Sequence, residues 1–355
     1  MTFAVASSPG KVILFGEHGV HRGVPNITTA VTLRTYCRVS TRSDTRYTLR
    51  SAANTEDGSC DDLLAFKAQV DGLRAAKDID AIVDLIRHDF YAPGRYVLSH
   101  VASRIDTFGV DVEWVSDIPI GSGLGSGAAA NSAMVKATYA ALGHELTQKD
   151  LIFLAWQGDA IAHGGYGSSL DSITCVMGGF VVYTRHPDHD QPVALSVSQP
   201  LPLVIGDTQV AHSTNKTNTH IRLWLEENPS RIQVFRVMGY LQPQFLSALQ
   251  MHDLPTLGNL MYLHQLLQFR MGVSIPESDR LVEAAVSAGA YGAKISGSGG
   301  GGIIIAIGAD AALPDIATAI DAAGGRSYLV ASGAEGTRLE APDIWQSLKE
   351  EKGTS

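Results

Sequence analysis

Four glycines in seven positions, Gly121 to Gly127, stand directly before an alanine-rich stretch in "PIGSGLGSGAAANSAMVKA". Glycine loses more conformational freedom on folding than any other residue, so a cluster of glycines ahead of a helix indicates a need for bare backbone. The alanine-rich stretch predicts a helix from Ser126 to Leu142. Free N–H groups at a helix N-terminus, together with the helix dipole, attract anions. We therefore predict an anion site here, with a simple glycine turn as the alternative.

Two better-defined nucleotide motifs do not account for this loop. A P-loop, GxxxxGK[ST], needs a lysine after its glycines, and none follows them here. The dinucleotide pattern GxGxxA is met by Gly123, Gly125 and Ala128. However, residues 110–114 alternate between apolar and polar side chains, which indicates a half-exposed strand and not the buried parallel strand that this motif follows. The dinucleotide match is therefore weak.

A second candidate stretch is "SSPGKVILFGEHGV", residues 7–20. Lys11 follows Pro9 and Gly10 at the mouth of a predicted strand, where its amine can reach a transferring phosphoryl group. Glu17 and His18, at the other end of that strand, can bind a polar substrate. The alternative is that these three are ordinary solvated side chains.

Two aspartates in "WQGDAIAHGGYGSSLDSITCVMGG", residues 156–179, are further candidates. Asp159 lies on a predicted helix, 150–163, that ends at His163. Asp171 follows a glycine-serine loop and is predicted to stand just before a buried strand at 178–183. A carboxylate held there orients a hydroxyl or accepts its proton, although aspartates are also common turn and cap residues. The later run "SGSGGGG" is either a nest of backbone amides or a place of close packing.

The chain length of 355 residues favours two domains over one. The polar, proline-bearing stretch "RHPDHDQP" predicts the joint, with domains at 1–187 and 188–355. Predicted helices and strands are mixed without strict βαβ alternation, which favours an α+β fold.

Charge and composition restrict the partners. With 27 basic and 36 acidic residues the formal net charge is −9, and no basic tract suggests a nucleic-acid partner. We see no signal peptide and no apolar run long enough to span a membrane. The three cysteines are scattered without a CxxC pair, as in proteins of a reducing compartment. We therefore expect a cytoplasmic protein that has neither nucleic-acid nor membrane partners.

Three stretches in order, "PGKVILFGEH", "PIGSGLGSGAA" and "GAKISGSGGGG", resemble the motifs of the GHMP kinase superfamily of small-molecule kinases. Within it, "KVILFGEH", "LVIGDTQVAHSTNK" and "LMYLHQLLQFRMGVS" are most similar to the mevalonate kinase family. The resemblance implies two α+β domains with the active site in the cleft between them. It also implies ATP-dependent phosphorylation of the 5-hydroxyl of mevalonate.

The resemblance also implies roles for individual residues. Asp171 would be the catalytic carboxylate, Lys11 would pair with it, and Asp159 and Ser126 would hold Mg²⁺. The residues implied at the ATP phosphates are Pro119, Gly121, Ser122, Gly123, Leu124, Gly125, Ser126 and Gly127. Those implied on the substrate side are Glu17, His18, His212 and Thr214. The implied partners are ATP and a small hydroxy acid, with a homodimer expected by analogy.

The sequence departs from the family pattern at three informative positions. Gly127 replaces a serine that can help bind magnesium, and Asp159 is one methylene shorter than the usual glutamate. His212 replaces an arginine expected near the substrate carboxylate, and a titratable ring is not equivalent to a fixed bidentate cation. Phosphomevalonate or a sugar therefore remain alternative acceptors. A non-catalytic nucleotide sensor is disfavoured, because it would not need both Lys11 and Asp171.

Overall fold

The computed structural model describes residues 2–52, 54–106, 108–165, 167–185, 190–211 and 213–352. The strands in these residues are β1 (Phe3–Phe15), β2 (Asn26–Thr41), β3 (Arg46–Arg50), β4 (Thr55–Ser59), β5 (Val110–Ser116), β6 (Phe180–Arg185), β7 (Asp190–Leu195), β8 (Pro202–Asp207), β9 (Gly292–Ser296), β10 (Ile303–Ile307), β11 (Arg326–Ala331) and β12 (Arg338–Glu340). The helices are α1 (Cys60–Ala76), α2 (Ile79–His88), α3 (Ala92–Ala102), α4 (Ser126–Ala141), α5 (Gln148–Ala162), α6 (Leu170–Met177), α7 (Thr214–Glu227), α8 (Gln233–Met251), α9 (Leu254–Arg270), α10 (Pro276–Ser287), α11 (Leu313–Ala322) and α12 (Ile344–Lys352).

The first sheet has eight strands in the order β12-β1-β2-β5-β3-β4, with β6 paired to β2 and β7 paired to β6. The β3–β5 pair is parallel and the other pairs are antiparallel. Apolar side chains of α3, α4 and α5, including Leu98, Met134 and Leu154, pack with Val39 of β2 and Val112 of β5 in one buried cluster. The helix that follows the glycine loop is therefore anchored in this core.

The second sheet has four antiparallel strands in the order β11-β8-β10-β9. Every residue of β10 is buried because helices cover both faces of the sheet. Ile304 packs with α10 and α11, whereas Ile305 packs with α8 and α9. The cluster around Ile305 also includes Val12 and Leu14 of β1, so one hydrophobic core joins the two sheets. This continuity fixes the end of β1 against the second sheet.

The predicted α+β class is confirmed by these two sheets, one mostly and one wholly antiparallel, with packed helices. The predicted helix at 126–142 is α4, and the helix predicted at 150–163 is α5. The domain boundary predicted between residues 187 and 188 lies outside the described residues. The first sheet takes strands from both sides of that boundary, since β7 pairs with β6 and β12 pairs with β1. None of the described helices combines the length and apolar character needed to cross a membrane.

The prediction for the surroundings of Asp171 is wrong. Asp171 lies in the first turn of helix α6, and the predicted strand begins only at Phe180. The β-branched residues that follow Asp171 resemble a strand in composition, but tertiary packing against α4, α5 and β1 stabilises a helix instead. Gly178 and Gly179, both with positive φ, then turn the chain into β6.

Candidate active site

The glycine loop between β5 and α4 adopts a conformation that requires glycine at several points. Gly121, Gly123 and Gly125 have φ values of +75°, +91° and +73°. Gly125 is the N-cap of α4, and no side chain caps that helix. A Cβ atom at Gly125 would lie 3.0 Å from Cγ of Lys11, so a side chain at this position would also press against Lys11. The first turn of α4 therefore offers its backbone N–H groups to an anion.

The other predicted members of the loop hold its shape. The Ser122 hydroxyl donates to the Pro119 carbonyl oxygen at 2.9 Å. The Leu124 side chain is buried in the core, and its carbonyl accepts the backbone N–H of Lys11 at 2.8 Å. Five of the eight predicted phosphate-binding residues line a cavity, namely Gly121, Gly123, Gly125, Ser126 and Gly127.

Lys11 and Asp171 form an ion pair inside the same cavity. Nζ of Lys11 lies 3.0 Å from Oδ1 of Asp171 and donates to the Gly123 carbonyl oxygen at 3.2 Å. The Lys11 side chain is 5% exposed, whereas that of Asp171 is 30% exposed. One buried cation therefore contacts both the glycine loop and a carboxylate that solvent or a substrate can reach.

Asp159 of α5 is buried beside this pair and accepts a hydrogen bond from the Ser172 hydroxyl. Burial, together with the negative charge of Asp171, raises the pKa of Asp159 to about 7. A Cβ atom at Gly127 would lie 3.8 Å from Oδ1 of Asp159. Ser126, Asp159 and Asp171 thus bring hydroxyl and carboxylate oxygens to one wall of the cavity. These are the donors that Mg²⁺ prefers, usually one or two carboxylates with water and substrate phosphates.

The opposite wall is formed by the turn after β1 and by the start of α7. His18, with φ of +61°, places its Nε2 atom 2.9 Å from the Ser298 carbonyl oxygen. Burial lowers the pKa of His18 to about 4, so its ring is neutral at pH 7. Thr214, the first residue of α7, has its hydroxyl 3.5 Å from that of Ser298. His18 and Thr214 therefore both line the cavity beside Ser298, and their role on the substrate side stays a prediction.

Glu17 lines the cavity, but its carboxylate is engaged inside the protein. Oε1 of Glu17 accepts a hydrogen bond from Nζ of Lys294, whereas Oε2 is buried without a hydrogen-bond partner among the described residues. Lys294 is fully buried. Lys294 was not among the residues predicted for the site, although a lysine within the short apolar strand "GAKIS" is a sequence signal for such a buried partner.

Two cationic candidates remain for an acidic substrate. His212 lies outside the described residues. Arg185, at the end of β6, lines the cavity, and its side chain forms no ion pair or hydrogen bond with the side chain of another described residue. Sequence reasoning did not select Arg185, because nothing in "VVYTR" distinguishes it from an ordinary exposed arginine at the end of a strand.

The cavity has a volume of about 570 Å³ and lies where the two sheets meet. Its lining comes from the glycine loop, β1, α5, α6, α7 and the glycine run at 297–302. That size is typical of small-ligand sites, which span about 300–1,000 Å³. A helix N-terminus, a buried lysine and two carboxylates together provide what phosphoryl transfer requires.

Comparison with known proteins agrees with this geometry. Residues 93–179 match the "GHMP kinases N terminal domain" family, and residues 245–325 match "GHMP kinases C terminal". The chain is 33% identical over 352 residues to mevalonate kinase from Pyrococcus horikoshii, covering 95% of this chain and 98% of that protein. Mevalonate kinase from Thermococcus gammatolerans is also 33% identical over 352 residues, with the same coverage.

A solved structure shows the same fold. The crystal structure of L. major mevalonate kinase in complex with R-mevalonate superposes with a TM-score of 0.72 at 23% identity, covering 93% of this chain and 96% of that one. The chain is therefore an ATP-dependent kinase of the GHMP superfamily. Within that superfamily it belongs to the mevalonate kinase family.

Proposed function

We propose that this protein transfers the γ-phosphoryl group of ATP to the 5-hydroxyl of mevalonate, giving 5-phosphomevalonate. The observation that carries the proposal is the Lys11–Asp171 ion pair, which lies at 3.0 Å beside the glycine loop in one cavity. The names of the archaeal relatives support the choice of mevalonate as acceptor. The glycine loop and the first turn of α4 bind the ATP phosphates through backbone N–H groups.

Asp171 contacts the acceptor hydroxyl and orients it toward the γ-phosphorus. Because the transition state of phosphoryl transfer is loose, the proton leaves late and a carboxylate of ordinary basicity is sufficient to receive it. Lys11 stabilises negative charge on the attacking oxygen and on the transferring group. The Lys11 amine also contacts the Gly123 carbonyl oxygen, which keeps it between the glycine loop and the Asp171 carboxylate.

Asp159 and Ser126 are the residues that we propose to hold Mg²⁺. The raised pKa of Asp159 reflects a buried carboxylate near a second negative charge, an arrangement that a divalent cation relieves. When bound, the ion neutralises charge on the phosphate oxygens. Gly127 leaves room beside Asp159, where the family's serine would stand.

Arg185, His18 and Thr214 are the residues that we propose on the acceptor side. The guanidinium group of Arg185 matches a substrate carboxylate, and it replaces the cation that the sequence lacks at position 212. Nε2 of the neutral His18 ring donates to the Ser298 carbonyl oxygen, so the ring offers its Nδ1 atom as an acceptor, and Thr214 offers its hydroxyl, to the hydroxyl groups of the substrate. We also propose a cytoplasmic location and a homodimer, on the grounds of composition and family resemblance respectively.

The test is a coupled ADP-release assay with mevalonate, phosphomevalonate and galactose as separate acceptors, with and without EDTA. We expect turnover with mevalonate that EDTA abolishes, and little or none with the other two acceptors. Absence of turnover with mevalonate in protein that binds ATP would overturn the substrate assignment. Faster turnover with galactose would assign the chain to the sugar kinases of the same superfamily.

A further inference from the structure

We propose that Lys294 is a positioning residue for the acceptor side of the cavity. Through Glu17 it holds the turn that carries His18. This inference rests on the proposed function, because it assigns His18 to acceptor binding. Lys294 itself does not line the cavity.

Lys294 contacts the chain around the end of β1 at two points. Its Nζ donates to the Ile13 carbonyl oxygen at 3.2 Å and to the carboxylate of Glu17. Lys294 is 0% exposed and Glu17 is 2% exposed, so both contacts are shielded from water. Two residues further along β9, the Ser296 hydroxyl accepts the backbone N–H of Ile13 at 2.8 Å. The end of β9 therefore holds the end of β1 by side-chain bonds.

The segment after Ile13 needs such support because its backbone is strained. His18 has a φ of +61°, in the left-handed region that non-glycine residues adopt at a cost. Gly16, with φ of +98°, begins the same turn, and its N–H donates to Nε2 of His264 at 3.2 Å. The Glu17 side chain is the anchor between these two positions. Its loss would free the turn to relax, and the ring of His18 would move with it.

Stability alone does not account for a buried ion pair at this place. Removing two charges from water is costly, and replacing a buried pair by neutral residues of similar volume is often neutral or stabilising. Burial opposes both charges here, raising the pKa of Glu17 and lowering that of Lys294. The hydrogen bond between Lys294 and Glu17 has a fixed direction and therefore holds the turn that carries His18. Apolar residues in place of the pair would not hold the turn in this way.

The effect is confined to the acceptor side for a geometric reason. Lys11, which serves the phosphate side, is held independently through its backbone bond to Leu124 and its side-chain bonds to Gly123 and Asp171. Loss of the Glu17–Lys294 bond leaves these three contacts in place. Binding of ATP is therefore expected to survive when binding of the acceptor is weakened.

The experiment uses the full chain with Lys294→Met, Glu17→Gln and the double variant E17Q/K294M, with Lys149→Met on the exposed surface of α5 as the matched control. The thermal unfolding midpoint, kcat and the KM values for ATP and acceptor are measured for each. Lys294→Met leaves the buried carboxylate of Glu17 without its cationic partner, so we expect a lower thermal unfolding midpoint. In the double variant we expect the midpoint to recover, with the acceptor KM still raised about tenfold or more and the ATP KM within about twofold of wild type.

Recovery of both the unfolding midpoint and the acceptor KM in E17Q/K294M would overturn the inference, because the pair would then be purely structural. An equal rise in both KM values would overturn it as well. If neither Lys294 variant folds, Glu17→Gln decides, since an unchanged acceptor KM in that variant contradicts the role. If the wild-type protein does not use mevalonate, the proposed function is wrong and the role of Lys294 is still open to test. The acceptor KM is then measured with the acceptor that the assay identifies.

Discussion

The two walls of the cavity are built in different ways. The wall that we propose for the ATP phosphates, here called the phosphate wall, comes from the single glycine loop at residues 121–127, and we expect it to bind through backbone N–H groups. The wall that we propose for the acceptor is assembled from four separate segments that contribute Glu17 and His18, Arg185, Thr214, and Gly297 with Ser298. We therefore expect the phosphate wall to depend on backbone conformation, with a close contact to Lys11 at Gly125, whereas the acceptor wall depends on the identity and placement of side chains.

Asp171 pairs with Lys11 beside the glycine loop and is the carboxylate that we propose to contact the acceptor hydroxyl, so its substitution should produce the largest loss. We expect Asp171→Asn to lower kcat by about 10³-fold, since a positioned carboxylate that handles a proton contributes about 10²–10⁴-fold. Asparagine retains the size of the side chain but loses the charge that pairs with Lys11. The coupled ADP-release assay measures kcat, and circular dichroism checks the fold. Activity equal to wild type would contradict the assigned role.

Gly125→Ala tests whether the phosphate wall binds ATP through the backbone conformation of the glycine loop. The added Cβ meets the Lys11 side chain at 3.0 Å in a residue with φ of +73°. We expect kcat/KM for ATP to fall by about 10²-fold, because displacing reacting groups by about 1 Å has an effect of that order.

Gly143→Ala is the matched control, since φ is +74° there and nothing lies within 4 Å of the added atom. Both variants should lose stability by about 1 kcal/mol from the left-handed backbone, but only Gly125→Ala should affect ATP. A similar loss of ATP kinetics in both variants would show that general destabilisation, and not the clash with Lys11, is responsible.

The pH dependence of the metal requirement is the smallest expected effect. Because burial raises the pKa of Asp159 to about 7, its carboxyl is protonated below that pH and becomes an ionised ligand as pH rises through it. The Mg²⁺ concentration for half-maximal rate should therefore fall by about tenfold between about pH 6 and about pH 8. In Asp159→Asn, the pH dependence of this Mg²⁺ concentration that comes from Asp159 should disappear. The part that comes from protonation of ATP should remain. An identical pH profile in both proteins would exclude Asp159 as the titrating ligand.

Sequence reasoning succeeded where neighbouring residues determine structure. Gly121, Gly123 and Gly125 predicted a loop of exposed backbone ahead of a helix, and in the structure all three have positive φ directly before α4. Ion pairing between Lys11 and Asp171 followed from family resemblance, and the two side chains do meet at 3.0 Å. The strand expected directly after Asp171 was wrong, since β-branched residues form helix α6 once they pack against α4 and α5.

By itself, the sequence determined the glycine loop ahead of α4 and the α+β class, because glycine conformations and hydrophobic patterning are local properties of the chain. Only the tertiary structure decided that Glu17 faces Lys294 and that Arg185 reaches the cavity. Glu17 and Lys294 lie on strands or turns of different sheets, and no local rule sets the distance between them. Such charges become buried only when the core is assembled. The free-energy cost of removing one charged side chain from water is then offset by an ion pair with a residue far away in the sequence.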